Sequence, residues 1–200
     1  MSIKKLEGTL VYVQVQKPVD CFVKEKGQEL KASIVVDEET ADSWNELYPK
    51  QPAKVVKTSE FEASFKIPPP LPSEKKQYVI TLRKNTKLAN GEPVPDKYIP
   101  KLYRRNDEGV LEDITQSVLP ANGSKGALAV EHYDGKMGPV ARLKNVLVTD
   151  LIEYQKQESE GDTGFDDTPA PAPVRTEAKV KPKAKPSAVV EDLDESDLPF

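Results

Sequence analysis

Aromatic and basic side chains alternate in two segments of this sequence. The first has Tyr78 followed by Arg83 and Lys84, and the second spans 97–105. The aromatic and basic residues of the second segment are Lys97, Tyr98, Lys101, Tyr103, Arg104 and Arg105. Aromatic rings stack on bases and cations pair with phosphates, so this combination suits sequence-tolerant binding of a single-stranded nucleic acid. The alternative is that Tyr78 packs in the core and that 97–105 is an ordinary solvated loop.

Further positive charge lies later in the chain. Lys125 is in a predicted turn beside Gly123 and Gly126, and small residues there would let a phosphate backbone approach closely. Arg142 and Lys144 are two apart in a predicted strand, so their side chains are expected to share one exposed face. All three cations are candidates for contacts with DNA, and ordinary solvated positions are the alternative.

Tyr12 and Phe22 complete the set of aromatic candidates. Tyr12 lies in the predicted first strand, and Phe22 follows that strand in the sequence. An exposed ring at either position can stack on a base. Packing in the core is the alternative for both rings, and a residue pattern alone favours it.

Catalytic chemistry is not expected from these residues. The chain has one histidine, His132, and one cysteine, Cys21. Neither has a recognised nucleophile–base spacing, and the sequence has no Gly-rich phosphate loop and no cluster of metal-ligand residues. We therefore predict a protein that is not an enzyme and that needs no cofactor or metal. A single cysteine also allows no intramolecular disulfide, which fits a reducing compartment.

The charge of the chain is unevenly distributed. The formal net charge is −4, which taken alone argues against a nucleic-acid partner. Residues 155–200 hold 6 Lys and Arg against 11 Asp and Glu, whereas residues 1–154 hold 23 against 22. The first part is thus close to neutral, and such a body can bind DNA through a locally basic groove with aromatic platforms.

The elements that must position these side chains are mostly strands. Alternating patterns predict strands at 6–16, 29–36, 60–67, 77–84, 126–133 and 140–154. In the first, Val11, Val13 and Val15 are expected on one face and Leu10, Tyr12 and Gln14 on the other. Asp37 predicts the N-cap of a short helix through about Tyr48, with Trp44 and Leu47 towards the core. The predicted fold is mainly β, a five-stranded barrel with one short helix and elaborated loops.

The sequence after Tyr154 has a different composition. Residues 155–190 are rich in Pro, Ala and Lys and predict a disordered linker. The last ten residues, EDLDESDLPF, predict an acidic tip that binds protein partners. A terminal ring can fill an apolar pocket while carboxylates pair with basic groups around it. The partner-binding candidates are Glu191, Asp192, Asp194, Glu195, Asp197, Leu198, Pro199 and Phe200. The alternative is a solubilising tail.

Two features together resemble the single-stranded DNA-binding proteins of tailed phages. The acidic tip with its final aromatic residue is similar to the C-termini of that family. The segment from Asn122-Gly123-Ser124-Lys125 through GALAVEHY to ARLKNVLVTDLIEY resembles its closing β-hairpin. The resemblance is good over about 113–154 and loose over the N-terminal half, and the long insert around 67–75 departs from it. It implies an oligonucleotide-binding (OB) fold over residues 1–154.

The resemblance also implies a function. We expect the protein to bind and protect single-stranded DNA without strong sequence preference during phage DNA replication, recombination and repair, in the cytoplasm of the infected bacterial host. Its acidic tail would recruit replication proteins such as a polymerase, a helicase or primase, or recombination factors. No apolar run is long enough to span a membrane, and a homodimer is one alternative for the oligomeric state. The competing interpretation is a non-enzymatic phage interaction or assembly module with an acidic tail.

Overall fold

Strands account for most of the residues that the structure describes. The computed structural model describes residues 4–21, 27–88, 90–135 and 138–154. The strands are β1 (Lys5–Asp20), β2 (Gln28–Val36), β3 (Lys54–Lys57), β4 (Lys76–Asn85), β5 (Leu102–Arg105), β6 (Leu111–Asp113), β7 (Lys125–Gly135) and β8 (Gly138–Asp150). The helices are α1 (Glu38–Leu47) and α2 (Thr58–Phe65). Neither helix has the length and apolar character that a membrane span requires.

Five of the strands build a barrel. They pair in the order β4-β2-β1-β7-β8, with every neighbouring pair antiparallel. The two outer strands of this series, β4 and β8, approach each other and bring the sheet round on itself. A five-stranded, partly open barrel of this kind is the architecture of the OB fold. The predicted five-stranded, OB-like, mainly β fold is confirmed, and the sheet is extended at its edges by β3, β5 and β6.

A bulge in β1 divides the apolar residues between two cores. Tyr12 has a φ of +51°, and the pairing of β1 with β2 shifts between Val11 and Gln14. An extra residue of this kind reverses which face the following side chains point to. Val11 therefore packs in a small core beneath α2, whereas Leu10 and Val13 both lie in the barrel core. The predicted single face for Val11, Val13 and Val15 is wrong for this reason.

Helix α1 is the predicted helix, and it packs its tryptophan against the barrel core. Asp37 accepts a hydrogen bond from the amide of Thr40 at 2.8 Å. Hydrogen bonds from the side chain of Thr40 and from its backbone amide lower the pKa of Asp37. Trp44 is fully buried and donates from Nε1 to the carbonyl of Gln51 at 2.7 Å. Leu47 packs against the same core, as the sequence predicts.

Helix α2 replaces a predicted strand. Phe61, Ala63, Phe65 and Ile67 alternate along the sequence, but Thr58–Phe65 is helical. Phe61 and Phe65 are also four apart, so a helix places them on one side, where their rings stack with centroids 4.4 Å apart. So short an apolar pattern fits both the two-residue period of a strand and the period of a helix. The helix forms because it packs both phenylalanines against the apolar outer surface of the sheet at Val11, Val35 and Val79.

Three short strands were missed by the sequence patterns. β3 pairs with β4 at one edge of the sheet, and β5 and β6 form the other edge. β5 lies within the 97–105 segment, for which an ordinary solvated loop was the alternative, and it pairs parallel to β8. Strands of three or four residues at an edge have too few alternating positions to be recognised from sequence. The predicted linker (155–190) and acidic tip (191–200) lie outside the described residues and remain predictions.

Candidate nucleic-acid interface

A cleft opens between β4 with its following loop on one wall and the β7–β8 hairpin on the other. Its volume is about 840 Å³. Its lining includes Lys84, Lys87, Tyr98, His132, Tyr133 and Arg142. Lys84, Tyr98 and Arg142 are 14 or more residues apart in the sequence, and each was predicted to contact DNA. The tertiary structure thus gathers three of the predicted residues in one cleft.

Each tyrosine of the cleft has a cation beside its ring. The guanidinium of Arg142 lies 4.3 Å from the ring centroid of Tyr133, and its Nη2 donates to the Tyr133 hydroxyl at 2.7 Å. Lys97 Nζ lies 4.9 Å from the ring centroid of Tyr98. Tyr98 is 51% exposed, which leaves ring surface for another planar group. A ring with a neighbouring cation can stack on a base while the cation meets the adjoining phosphate.

Lys84 lines the cleft but is committed to an ion pair. Its ammonium bonds to the carboxylate of Glu131, and only 10% of its side chain is exposed. This pair joins β4 to β7 and so links the two walls. The negative charge of Glu131 offsets the positive charge of Lys84. Lys87 and Arg142 therefore supply the remaining positive charge of the lining. Lys84 is therefore better placed to hold the walls together than to bind a phosphate.

The floor of the cleft contains the only histidine of the chain. His132 Nδ1 and the hydroxyl of Tyr48 are 3.0 Å apart, and their rings have centroids 5.7 Å apart. Burial raises the pKa of Tyr48, so its hydroxyl keeps its proton and can donate to the imidazole. The ring of Tyr48 in turn packs against that of Trp44, with centroids 4.3 Å apart and planes tilted by 41°. The hairpin wall is thus fixed to α1 through an aromatic series.

The cleft includes part of the surface with which OB folds bind oligonucleotides, namely the third barrel strand and the hairpin after the fourth. In that fold the ligand contacts the second and third barrel strands and the loops after the first and fourth. Here β2 and β4 are the second and third barrel strands, and the hairpin turn after β7 is the loop after the fourth. Arg83, a predicted DNA contact, is exposed on β4 opposite Lys31 of β2 and pairs with Glu29 at 3.4 Å. Glu29 offsets the charge of Arg83, which lies on the exposed face of β4 and does not line the cleft.

Tyr78 belongs to the core rather than to the interface. Its side chain is 8% exposed within the barrel core, and its hydroxyl donates to the carboxylate of Glu38. That bond raises the pKa of Tyr78 to about 12. A ring with no free face cannot stack on a base, so the prediction that Tyr78 contacts DNA is wrong. Its place in the alternating pattern of β4, two residues before Ile80, carries it inward.

Two cations of the β5 segment, Lys101 and Arg104, form ion pairs with carboxylates of β6. Lys101 bonds to Asp113 at 2.7 Å, and Arg104 bonds to Glu112 at 2.8 Å. These bonds raise the pKa of both cations, and the bonds from Lys101 and Thr115 lower the pKa of Asp113 to about 2. Lys101 and Arg104 therefore brace β5 against the β6 hairpin. They are solvent-exposed but already have carboxylate partners.

Tyr103 and Arg105 lie on a different surface from the cleft. Both line a groove of about 400 Å³ on the outer side of the sheet, with Lys5 on the opposite rim. Lys125, another predicted contact, lines a recess of about 300 Å³ that shares Lys5 with the groove. Six of the predicted residues therefore form two groups, three in the cleft and three along the groove and recess.

Two remaining candidates have local roles that the sequence patterns did not predict. Tyr12 is 44% exposed, and its ring lies 5.3 Å from that of Phe65 beside α2, away from the cleft lining. Lys144 is exposed, as predicted, but it is the extra residue of a bulge, since Ala129 pairs with Asn145 and Val130 with Leu143. Arg142 and Lys144 are both exposed on either side of the buried Leu143, and the bulge interrupts only the regular pairing of β8 with β7.

Three aromatic or basic residues of the cleft lining were not predicted from the sequence to contact DNA. Lys87, His132 and Tyr133 line the cleft together with the predicted residues. A signal for Tyr133 was present in the sequence, because it directly precedes Asp134-Gly135, a dipeptide typical of hairpin turns, and the predicted strand that follows carries Arg142. Lys87 lacks such a signal because its position depends on the course of the loop after β4. Phe22 and the eight candidates of the acidic tip lie outside the described residues.

The chain is similar to solved structures of phage single-stranded DNA-binding proteins. A truncated form of the protein from bacteriophage Enc34 is 13% identical with a TM-score of 0.42, over 75% of this chain and 92% of that one. The Enc34 protein in complex with single-stranded DNA is 12% identical with a TM-score of 0.39, over 78% and 94%. Gp2.5 of bacteriophage T7 is 13% identical with a TM-score of 0.41, over 82% and 99%.

Neither a family model nor a curated protein matches the sequence. The solved structures named above belong to the class of protein that the sequence resembles.

Proposed function

We propose that this protein binds single-stranded DNA without strong sequence preference and that the cleft is its principal binding site. The observation that carries the proposal is the meeting of two tyrosine rings with cations in one open cleft, at the ligand-binding end of an OB barrel. The rings offer flat faces that any base can use, and the cations offer charge that any phosphate can use. This combination supports a binding protein rather than an enzyme.

Stacking should contribute more to affinity than charge does. Three phosphate contacts would give a salt slope of about −2, and raising salt from 50 to 200 mM would then cost only about 20-fold. Two stacked bases at roughly 2 kcal/mol each would contribute about a thousandfold. Because the body of the protein is nearly neutral, loss of one stacking ring should weaken binding more than loss of one cation.

The test is fluorescence-anisotropy binding of the full chain to labelled dT30, with duplex of equal length as the competitor. We expect tight binding that duplex does not displace, and a loss of about 5- to 150-fold for Tyr98→Ala. Tyr154→Ala is the matched control because Tyr154 is 58% exposed and does not line the cleft. Equal affinities for Tyr98→Ala and Tyr154→Ala would reject the cleft as the site. Absence of any binding to dT30 would favour an interaction or assembly module instead.

The wider role that we propose is protection of single-stranded DNA during phage replication, recombination and repair in the cytoplasm of the infected host. Residues 191–200 would recruit replication proteins through their carboxylates and the terminal Phe200. Pull-down of the replication polymerase, helicase or primase from infected cells, with the full chain and with a form ending at residue 190, tests this assignment. Equal recovery by both forms would contradict it.

A further inference from the structure

The groove on the outer face of the sheet is a second place where an aromatic ring and cations meet. Its floor is made of small side chains, Ala127 and Ala129 of β7, next to Leu147 of β8. Tyr103 forms one side, and Arg105 and Lys5 lie at the rim. Its volume of about 400 Å³ leaves room for a flat ligand over the alanines. The groove therefore has the components of a stacking site.

The cations around the groove retain charge for an anionic ligand. Arg105 donates to the carbonyl of Gly109 at 2.7 Å, and Lys125 donates to the hydroxyl of Thr9 at 2.6 Å. Both partners are neutral, and within the described residues neither cation forms an ion pair. Lys5 pairs with the exposed carboxylate of Glu7. Three cations thus face one carboxylate along the groove and its adjoining recess, which is complementary to a phosphate chain.

The groove is continuous with the cleft along β7. The groove and recess are lined by Lys125, Ala127 and Ala129 of β7. The next alternate residues of the same strand, Glu131 and Tyr133, line the cleft. All five side chains therefore belong to the same face of β7. The intervening residues of β7 up to 130 are buried in the barrel. At about 3.3 Å per residue, Ala129 and Tyr133 are separated by roughly 13 Å. A ligand that leaves the cleft therefore meets the groove within a few nucleotides.

Residues of strand β8 line the same path from the cleft to the groove. Asn145 and Leu147 line the groove, and Arg142 lines the cleft. The bulge residue Lys144 is exposed between them. This position places a further cation at the passage from one site to the other. Positive charge is thus available at both sites and between them.

From this continuity we infer that the groove is a second nucleotide subsite, which takes a base against Tyr103 and the alanine floor and phosphates at Arg105, Lys5 and Lys125. The inference rests on the proposed function, because it extends the path of the same DNA strand beyond the cleft. It assigns the occupant as single-stranded DNA, since the rim charge and the continuity with the cleft both match a phosphate chain. The footprint of one domain is then larger than the cleft alone allows.

The dependence of affinity on oligonucleotide length distinguishes binding at the cleft alone from binding at the cleft and the groove together. Anisotropy titrations with a dT series from about 4 to 16 nucleotides, the range covered by single OB folds, should give affinity that rises in two stages. Tyr103→Ala should weaken binding of the long oligonucleotides by about 5- to 150-fold and leave binding of the shortest ones unchanged. Arg105→Gln should reduce the salt slope for the long oligonucleotides by about 0.7.

Tyr98→Ala is the comparison variant, because loss of a cleft ring should weaken binding at every length. Photocross-linking with a 5-iododeoxyuridine scan of dT16 adds a readout that does not depend on a substitution. Cross-links to Tyr103 and Tyr98 or Tyr133 from different positions of one oligonucleotide are expected. Unchanged affinity of Tyr103→Ala for dT16, together with no cross-link to Tyr103, would overturn the inference while the proposed function stands. Failure of the unaltered protein to bind dT16 would instead reject the proposed function.

Discussion

The guanidinium of Arg142 lies over the ring of Tyr133, 4.3 Å from its centroid, and bonds to its hydroxyl at 2.7 Å. The two residues are on the paired strands β7 and β8, in a region where Arg142 is the direct partner of Glu131. The contact fixes the orientation of a ring and a cation at the mouth of the cleft. A strand of DNA would find both groups already positioned, which reduces the entropic cost of binding.

Replacing Arg142 with glutamine should lower the affinity for dT30 by about tenfold at low salt. The change removes one phosphate contact, and the salt slope should fall in magnitude by about 0.7. Binding titrations at several salt concentrations measure both quantities. Lys54→Gln on β3 is the matched control, because Lys54 is exposed and pairs with Val79, five residues before the cleft residue Lys84 along β4. An unchanged slope for Arg142→Gln would show that this cation meets no phosphate.

Tyr133 should contribute through its ring rather than its hydroxyl. Tyr133→Phe keeps the stacking face and loses only the bond to Arg142, so its affinity for dT30 should remain within about threefold of the unaltered protein. Tyr133→Ala should lose about 5- to 150-fold. The two variants are compared by anisotropy at one salt concentration. Equal losses for both would assign the effect to the hydroxyl bond instead.

Removal of Lys84 should destabilise the fold. Lys84→Met leaves the carboxylate of Glu131 without its partner in the narrow space between β4 and β7. We expect a decrease of about 2 kcal/mol in the free energy of unfolding, less than for a fully buried pair because 38% of the Glu131 side chain is exposed. Urea denaturation measures this change. Adding Glu131→Gln to Lys84→Met should recover part of it, and a further loss would contradict the pairing argument.

Asn122 should be important for stability and not for the cleft. Its Oδ1 accepts from the amide of Tyr12 at 2.7 Å, and its Nδ2 donates to the carbonyl of Phe65 at 2.8 Å. It thus holds the β1 bulge against the end of α2. Asn122→Ala should cost about 2 kcal/mol, since two backbone groups lose partners. Thermal unfolding should show the loss, while the affinity of the folded protein for dT30 stays unchanged.

The ion pair of Asp113 and Lys101 should stabilise the folded protein at neutral pH, and this stabilisation should be lost in acid. The pKa of Asp113 in the folded state is about 2, below its ordinary value of 3.8, chiefly because Lys101 donates to its carboxylate. A lowered pKa contributes stability that is present above the ordinary value and is lost as the pH falls through the folded value. The stabilisation should therefore disappear between about pH 4 and pH 2.

Melting temperatures of the unaltered protein and of Asp113→Asn across that range measure the effect. The difference between them should shrink as the pH falls, because both side chains are then neutral. Asp107→Asn, a substitution at a nearby exposed carboxylate, is the control and should show little change. A difference that stays constant from pH 4 to pH 2 would rule out this contribution.

Local sequence signals were sufficient for the elements that carry strong ones. Asp37 and the acidic residues after it indicate α1, and the alternation around Ile80 and Leu82 indicates β4. The Asp134-Gly135 dipeptide between two long alternating segments indicates the β7–β8 hairpin, although both residues belong to β7 and pair with Pro139 and Gly138. In each case the cap, the period or the turn residue acts within a few positions of the chain. These signals are enough to predict a mainly β barrel with one helix.

The sequence by itself also determined which residue types the site would contain, namely tyrosines with neighbouring cations. Only the tertiary structure decided which of them meet. Tyr78 and Tyr98 look alike in the sequence, yet one is packed in the barrel and the other is exposed at the cleft. The bulge at Tyr12, the helix at Phe61 and the division of cations between cleft and groove depend on contacts between distant strands. Those contacts determine which side chains are buried, because the free energy of burying apolar surface is gained only when the whole sheet has closed.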